Sequence, residues 1–178
     1  MVGLESSERF LLKLGVGTVV WRKDQNGNRE FLLGVRNTVP EGKLSLPGGT
    51  KDDIAVGVVK KADKNIKKTA IREIYEETGI DINEDRLSII SLDDSNVSEM
   101  GYLNFGCAVE VNASVEPDMS KASHAYEFKE WKWFQVGKNK SGENIFCSND
   151  GDIVTEDDIF KPCIPTIRSF LENKLQVK

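Results

Sequence analysis

The chain has 178 residues, of which 39% are hydrophobic and 30% charged, and a formal net charge of −5. That length suits a single domain over residues 1–178 with a sizeable core, and the composition excludes a disordered chain. The acidic balance leaves no basic surplus for a nucleic-acid backbone, yet it allows a nucleotide substrate whose charge is met by a divalent cation.

In chain order, Glu5, Glu8, Arg9 and Lys13 interrupt the apolar residues of the N-terminal stretch. Neither a signal peptide nor a membrane span is expected there, and Gly3 stands one place too late for myristoylation. A cytoplasmic location is the expectation. "VGTVVW" (16–21) is rich in β-branched residues and predicts a strand. Asn26-Gly27 marks a hairpin turn, and "FLLGVR" (31–36) is the returning strand. Residues 37–49 read as a loop with a short extended piece at "LSL". A helix is expected from about Asn65 to Thr78. Further strands are expected at 87–92, 102–111 and 129–136, and a second helix over 164–175. The polar, glycine-containing stretch 138–158 reads as a long surface loop, whose "TEDD" also suits the opening of the final helical region. Strands interleaved with helices, without a repeat, predict a mixed α/β domain. Cys107, Cys147 and Cys163 are widely spaced and form no CxxC pair, so free thiols are expected rather than zinc ligands or disulfides.

The first helix carries the chemistry. At about 100° per residue, Glu73, Glu76 and Glu77 fall at i, i+3 and i+4 on one side of the rod. Ala70, Ile71 and Ile74 form an adjoining apolar stripe, so the carboxylates are expected to border the buried face. Asn65 suits an N-cap and Gly79 a C-terminal stop. Like charges at i,i+4 cost roughly 0.2–0.5 kcal/mol per pair, and the helix dipole disfavours acids in the last turns. A solvated acidic face is the plain alternative. A hard divalent cation reverses the sign of each unfavourable contribution, because Mg²⁺ is bound by carboxylate and phosphate oxygens.

Arg72-Glu73-Ile74-Tyr75-Glu76-Glu77-Thr78-Gly79-Ile80 fills every fixed position of the pattern R-E-U-x-E-E-x-G-U, where U is apolar. It resembles the second half of the Nudix box, and Leu46-Pro47-Gly48-Gly49 resembles the start of the same box. The order of the outer segments, down to "EWKWF" and "KPCIPTIRSFLE", is similar to Nudix hydrolases over most of the chain, most of all to the MutT-homologue branch. The resemblance implies a Nudix fold, with a mixed β-sheet core sandwiched between helices. It implies Mg²⁺, with Mn²⁺ as the alternative ion, and hydrolysis of a phosphoanhydride in a nucleoside diphosphate linked to another group. Glu76 and Glu77 are then the principal metal ligands, Glu73 a further ligand and the base for the attacking water, and the Gly48 carbonyl an additional ligand. Arg72 orients Glu73 or the loop. Gly49, Lys51 and Arg36 are placed to contact substrate. Glu127 and Glu130 stand where some relatives put another catalytic acid.

One departure stands out. The full family pattern places a glycine at 58 and a glutamate at 64, where this chain has Val58 and Lys64. Counting from Gly49 instead puts Ala55 at the glutamate position, so the stretch before Arg72 is nine residues longer than the family spacing. Asp52, Asp53 and Asp63 are the acids available to stand in. The branch resemblance favours a nucleoside triphosphate, oxidised purines included, giving a monophosphate and pyrophosphate. ADP-ribose, nucleotide sugars and dinucleoside polyphosphates are the alternatives, as is a non-catalytic module that senses a nucleotide or binds a protein. The expected partner is therefore a small-molecule nucleotide, with neither membrane nor nucleic acid, and a homodimer is a family expectation. His124, the lone histidine, reads as a surface or loop residue. Trp131 and Trp133 are expected to divide between the two sides of their strand, one in the core and one within reach of a base. Tyr102, Phe105, Phe146 and Phe160 suit base stacking but are better explained as core.

Overall fold

β1 (Lys13–Lys23) is apolar on both sides because both of its faces are covered, which is why its sequence runs continuously hydrophobic rather than alternating. Val19 and Trp21 point into one core cluster, Val16 and Val20 into the other. The structure, a computed structural model, describes residues 13–51, 65–94 and 102–175. Residues 52–64, where the extra length before Arg72 is expected and which include Asp52, Asp53, Asp63 and Lys64, lie outside the described residues, as does the N-terminal stretch before Lys13.

The other strands are β2 (Arg29–Arg36), β3 (Leu44–Ser45), β4 (Gly48–Thr50), β5 (Ser88–Asp93), β6 (Tyr102–Glu110), β7 (Phe128–Lys138), β8 (Asn144–Ser148) and β9 (Ile153–Thr155). They form one mixed sheet in the order β5-β6-β1-β2-β7-β8-β9, with β3 added to β2 and β4 to β1. The β1–β6 pair is parallel and its neighbours are antiparallel. Helix α1 (Ile66–Thr78) covers one face through Ala70 and Ile74, and α2 (Ile164–Leu175) covers the other through Ile167 and Phe170. This is the α/β sandwich expected from the sequence. Phe31, Phe134 and Phe146 are almost fully buried on the α2 side, each contributing about 1.5–3 kcal/mol.

Local signals held where backbone chemistry was explicit. Gly27 turns the β1–β2 hairpin at φ 81°, and Asp24 accepts hydrogen bonds from the Asn26 and Asn28 amides. Asn65 caps α1 by accepting from the Lys68 amide at 3.0 Å, and Gly79 ends it at φ 71°. Cys107 and Cys163 are buried free thiols, while Cys147 is half-buried.

Two expectations are corrected. Residues 138–158 are not a long loop but a pair of short strands, β8 and β9, followed by a 3₁₀ turn at Glu156–Asp158. Turn residues at both ends hide a five-residue strand. Gly142 and Gly151 adopt φ 83° and 93°, and the Asn139 side chain accepts from the Ser141 and Glu143 amides. Phe146 anchors the ribbon edge-on to Phe31, with ring centroids 5.6 Å apart. "TEDD" closes on itself as a capping box, in which the Asp158 carboxylate accepts from the Thr155 amide and hydroxyl. Trp131 and Trp133 do not divide between faces: both pack on the α1 side, as a two-residue step along a strand requires.

Candidate active site and metal centre

The site is assembled where the last two turns of α1 meet β4. Ala70 and Ile74 seat the helix on the sheet, and Glu77, three residues beyond Ile74 and seven beyond Ala70, falls on that same buried stripe. Glu73 and Glu77 are therefore more than nine-tenths buried, which is deeper than a bordering position, and Glu76 lies at the edge. Burial pushes the Glu73 carboxyl up to about 6, against the opposing charge of Arg72 and with a further push from Glu76. Burial also holds Glu77 well above the usual carboxylate range. The Gly48 N–H and Arg36 oppose that shift, while Glu73 and Glu127 add to it.

The α1 terminus is held by four separate donors. The carbonyl of Tyr75 accepts from Gly79 N at 2.9 Å, that of Glu76 from His124 N at 2.7 Å, and that of Thr78 from Asp118 N at 2.8 Å. The carbonyl of Glu77 accepts from the Trp131 indole Nε1 at 3.0 Å. All four otherwise orphaned carbonyls are thus paired, and the loop 112–127 is docked across the carboxylates. Trp131 caps the helix rather than reaching for a base.

The glycine pair closes the other side. Gly48 N–H donates to Glu77 Oε2 at 2.9 Å. A Cβ on Gly49 would stand 2.4 Å from the Glu73 carboxyl carbon, so the bare Cα makes the space that Glu73 fills. Arg72 Nη1 lies 2.9 Å from Glu73 Oε1 and 2.8 Å from Glu76 Oε2, and its Nη2 donates to Thr50 O at 3.1 Å. One guanidinium thus faces two carboxylates, with Glu77 buried beside them. The donor set is all oxygen on the helix side and carries more negative charge than its arginine balances, which fits a hard divalent cation.

The predicted residues separate on this frame. Arg72, Glu73, Glu76, Glu77, Gly48 and Gly49 are brought together. Arg36 stands beside them, its guanidinium 4.4 Å from the Phe160 ring centroid and its Nη2 donating to Thr38 Oγ1 and Val39 O, both at 3.0 Å. Its Nε is buried without a hydrogen-bond partner among the described residues. Lys51 follows β4 directly, its amide donating to Leu14 O at 2.8 Å. Glu127 faces Glu77, whereas Glu130 is exposed and pairs with Lys132 at 3.3 Å. Phe146 is core; Tyr102 and Phe160 line a cavity of about 130 Å³ beside Gly48 and Gly49, together with Asn104, Cys163 and Thr166. His124, expected at the surface or in a loop, lies in the loop 112–127 with its side chain 37% exposed, and its Nδ1 is 3.6 Å from Glu76 Oε2. Nothing linear signals this, because the backbone bonds of the 112–127 loop bring it there.

A family model described as the NUDIX domain matches residues 11–146. The chain belongs to the Nudix family. Among solved structures it is similar to a MutT/nudix family protein from Enterococcus faecalis, at 17% identity and a TM-score of 0.63, covering 96% of this chain and 64% of that one. It is also similar to a Nudix hydrolase from M. smegmatis, at 12% identity and a TM-score of 0.55, covering 94% and 88%. At these identities the likeness speaks for the fold. This chain therefore spans less than two thirds of the Enterococcus protein's length. No curated protein matches the chain. Among the described residues, no helix is long and apolar enough to cross a membrane.

Proposed function

We propose that this Nudix hydrolase uses a divalent cation, Mg²⁺ or Mn²⁺, to hydrolyse a phosphoanhydride in a nucleoside diphosphate linked to another group. The preferred substrate is a nucleoside triphosphate, oxidised purine forms included, converted to monophosphate and pyrophosphate. The observation that carries the reading is the buried carboxylate set of Glu73 and Glu77, with Glu76 at its rim, facing a glycine pair. Glu73, Glu76 and Glu77 hold the cation, with the Gly48 carbonyl in support. The bound cation would neutralise charge on the attacking and leaving oxygens. Glu73 accepts the proton of the attacking water, a role that its place beside Arg72 and Glu76 at the glycine pair supports. Arg72 fixes the orientation of Glu73 and Glu76. Arg36 and Gly49 line the cavity beside the carboxylates and, with Lys51, border the phosphate path.

The cavity between Tyr102, Asn104, Phe160 and Thr166 adjoins the glycine pair and is assigned to the part of the substrate next to the phosphates; at about 130 Å³ it does not enclose a whole nucleoside. A larger groove of about 550 Å³, between β2, β7 and α2, touches none of Glu73, Glu76 and Glu77. The test is a panel of nucleoside triphosphates, ADP-ribose, nucleotide sugars and dinucleoside polyphosphates, run with Mg²⁺ and with Mn²⁺ in ¹⁸O water. Metal-dependent release of labelled monophosphate or labelled pyrophosphate supports the reading and gives the phosphorus attacked. Absence of turnover across the panel with either metal overturns it.

A further inference from the structure

Glu73, Glu76 and His124 form a mixed cluster in which one carboxylate oxygen from each glutamate and one imidazole nitrogen all lie within 4.8 Å of one another. The histidine is held there by the backbone. Its own amide donates to Glu76 O at 2.7 Å, and Asp118 N, earlier in the same loop, donates to Thr78 O at 2.8 Å. The ring packs edge-on to Tyr126, with centroids 5.9 Å apart, while Nδ1 faces Glu76 Oε2 at 3.6 Å. That gap is too long for a hydrogen bond. Two ligands each about 2.0–2.2 Å from one cation stand about 3 Å apart at a right angle and about 4.2 Å apart when opposite, so the gap lies within the span that one ion bridges. Glu76 Oε2 already takes Arg72 Nη1 at 2.8 Å, so this oxygen is pinned in position opposite the imidazole. The bare Cα of Gly49 gives Glu73 the room to reach the same point.

We infer that His124 is a ligand of the cation held by Glu73 and Glu76, so that this centre adds an imidazole nitrogen to its carboxylate oxygens. The inference rests on the hydrolase reading only in placing the cation at these glutamates. Its consequence is metal preference. Mg²⁺ is a hard ion that favours oxygen ligands and keeps its waters, whereas an imidazole donor favours later first-row ions, with Co²⁺ above Mn²⁺. A histidine in the ligand set therefore shifts this enzyme toward Mn²⁺ and Co²⁺ relative to an all-oxygen site.

The experiment uses the full chain loaded with Mn²⁺ and reads directly bound ¹⁴N by pulsed electron paramagnetic resonance. Binding isotherms for Mn²⁺, Co²⁺ and Mg²⁺ are measured on the same protein and on His124→Gln. A ¹⁴N modulation in the wild-type protein is expected, lost in His124→Gln. Mn²⁺ and Co²⁺ affinity is expected to fall by about tenfold in the variant and Mg²⁺ affinity by less than about twofold. The wild-type spectrum stands by itself, so the result does not depend on the variant folding. Bound Mn²⁺ without nitrogen coupling overturns the inference and leaves the hydrolase reading standing, as does an equal loss for all three ions. No Mn²⁺ binding at all also overturns the inference. Nitrogen coupling with no turnover of any nucleotide supports the inference and removes the hydrolase reading.

Discussion

Two clusters of buried charge lie on the α1 side of the sheet, and they are built on opposite plans. At the C-terminal end of β1, Arg22 is enclosed: Nε meets buried Glu30 at 2.8 Å, and Nη1 donates to Val115 O and to Glu116, each at 2.6 Å. Its guanidinium lies 3.9 Å from the Trp133 ring, and the Trp133 indole donates to the second Glu116 oxygen at 2.9 Å. Nε and Nη1 both have near acceptors, and the largely exposed Glu116 keeps its hydration. At the other cluster one arginine faces two carboxylates with a third buried behind them. The first cluster is closed by the protein's own groups. Among the described residues the second is left short of positive charge, and that shortage separates a binding site from a structural ion pair.

The comparison breaks first at Arg22. Arg22→Ala leaves Glu30 buried beside no cation, so unfolding free energy is expected to fall by about 3–5 kcal/mol. Chemical denaturation measures this. Metal affinity should stay within about twofold of wild type. A loss below about 1 kcal/mol would place Glu30 among ordinary exposed pairs and dissolve the contrast.

Glu76→Gln is expected to do the reverse. The rim position keeps the side chain partly hydrated, so the fold should survive. Removing a ligand should lower kcat/KM by at least about 100-fold, since groups one step behind the ligands already cost about 10–100-fold in affinity or activity. Steady-state kinetics together with a thermal melt separate the two effects, and unchanged turnover would exclude Glu76 from the metal set.

The pH response should also differ between the clusters. The folded-state pKa of Glu73 is raised from 4.5 to about 6 by burial, and burial also raises Glu77 well above 4.5. The stability each contributes is therefore fully present below about 4.5 and is lost as pH rises through its folded-state pKa, about 6 for Glu73. The metal-free protein should melt lower at pH 7.5 than at pH 5. Added Mn²⁺ should recover stability at neutral pH by about 2.7 kcal/mol at one hundred times its dissociation constant. Glu73→Gln should flatten the slope, whereas Arg22→Ala should leave it in place. Calorimetry with and without chelator reads all three.

How much of this was legible depended on whether a signal was local. The capped helix at 66–78, the Asn26-Gly27 turn and the strands around β1 follow from periodicity and turn chemistry, which neighbouring residues carry on their own. The Arg72–Glu77 run was legible because helical spacing puts its acids on one side. The β8–β9 ribbon was not, because strands of five and three residues between glycine turns contain too few alternations to show a period. Burial of Glu77 was half legible: its place on the Ala70–Ile74 stripe can be counted, but a charged residue on that stripe invites a border position. The place of His124 beside Glu76 was illegible, since it depends on hydrogen bonds from His124 N to Glu76 O and from Asp118 N to Thr78 O, groups far apart in the chain.

The glycine pair gives the smallest and most discriminating change, because its two members are bare for different reasons. A Cβ on Gly48 would stand 2.1 Å from the Val16 carbonyl oxygen, which belongs to the backbone of β1 and cannot move without displacing the strand. Gly48→Ala should therefore cost stability, about 1–3 kcal/mol as for other overpacked positions. A Cβ on Gly49 would instead meet the far end of the Glu73 side chain, which can rotate away. Gly49 has no positive φ to defend, so Gly49→Ala should melt within about 1 kcal/mol of wild type. Its effect should fall on the carboxylate, with Mn²⁺ affinity lowered by about tenfold, near the bottom of the range for groups that hold a ligand in place. If both alanine variants lose stability equally and bind Mn²⁺ normally, Gly49 is packing alone, and the room it makes for Glu73 has no part in the metal centre.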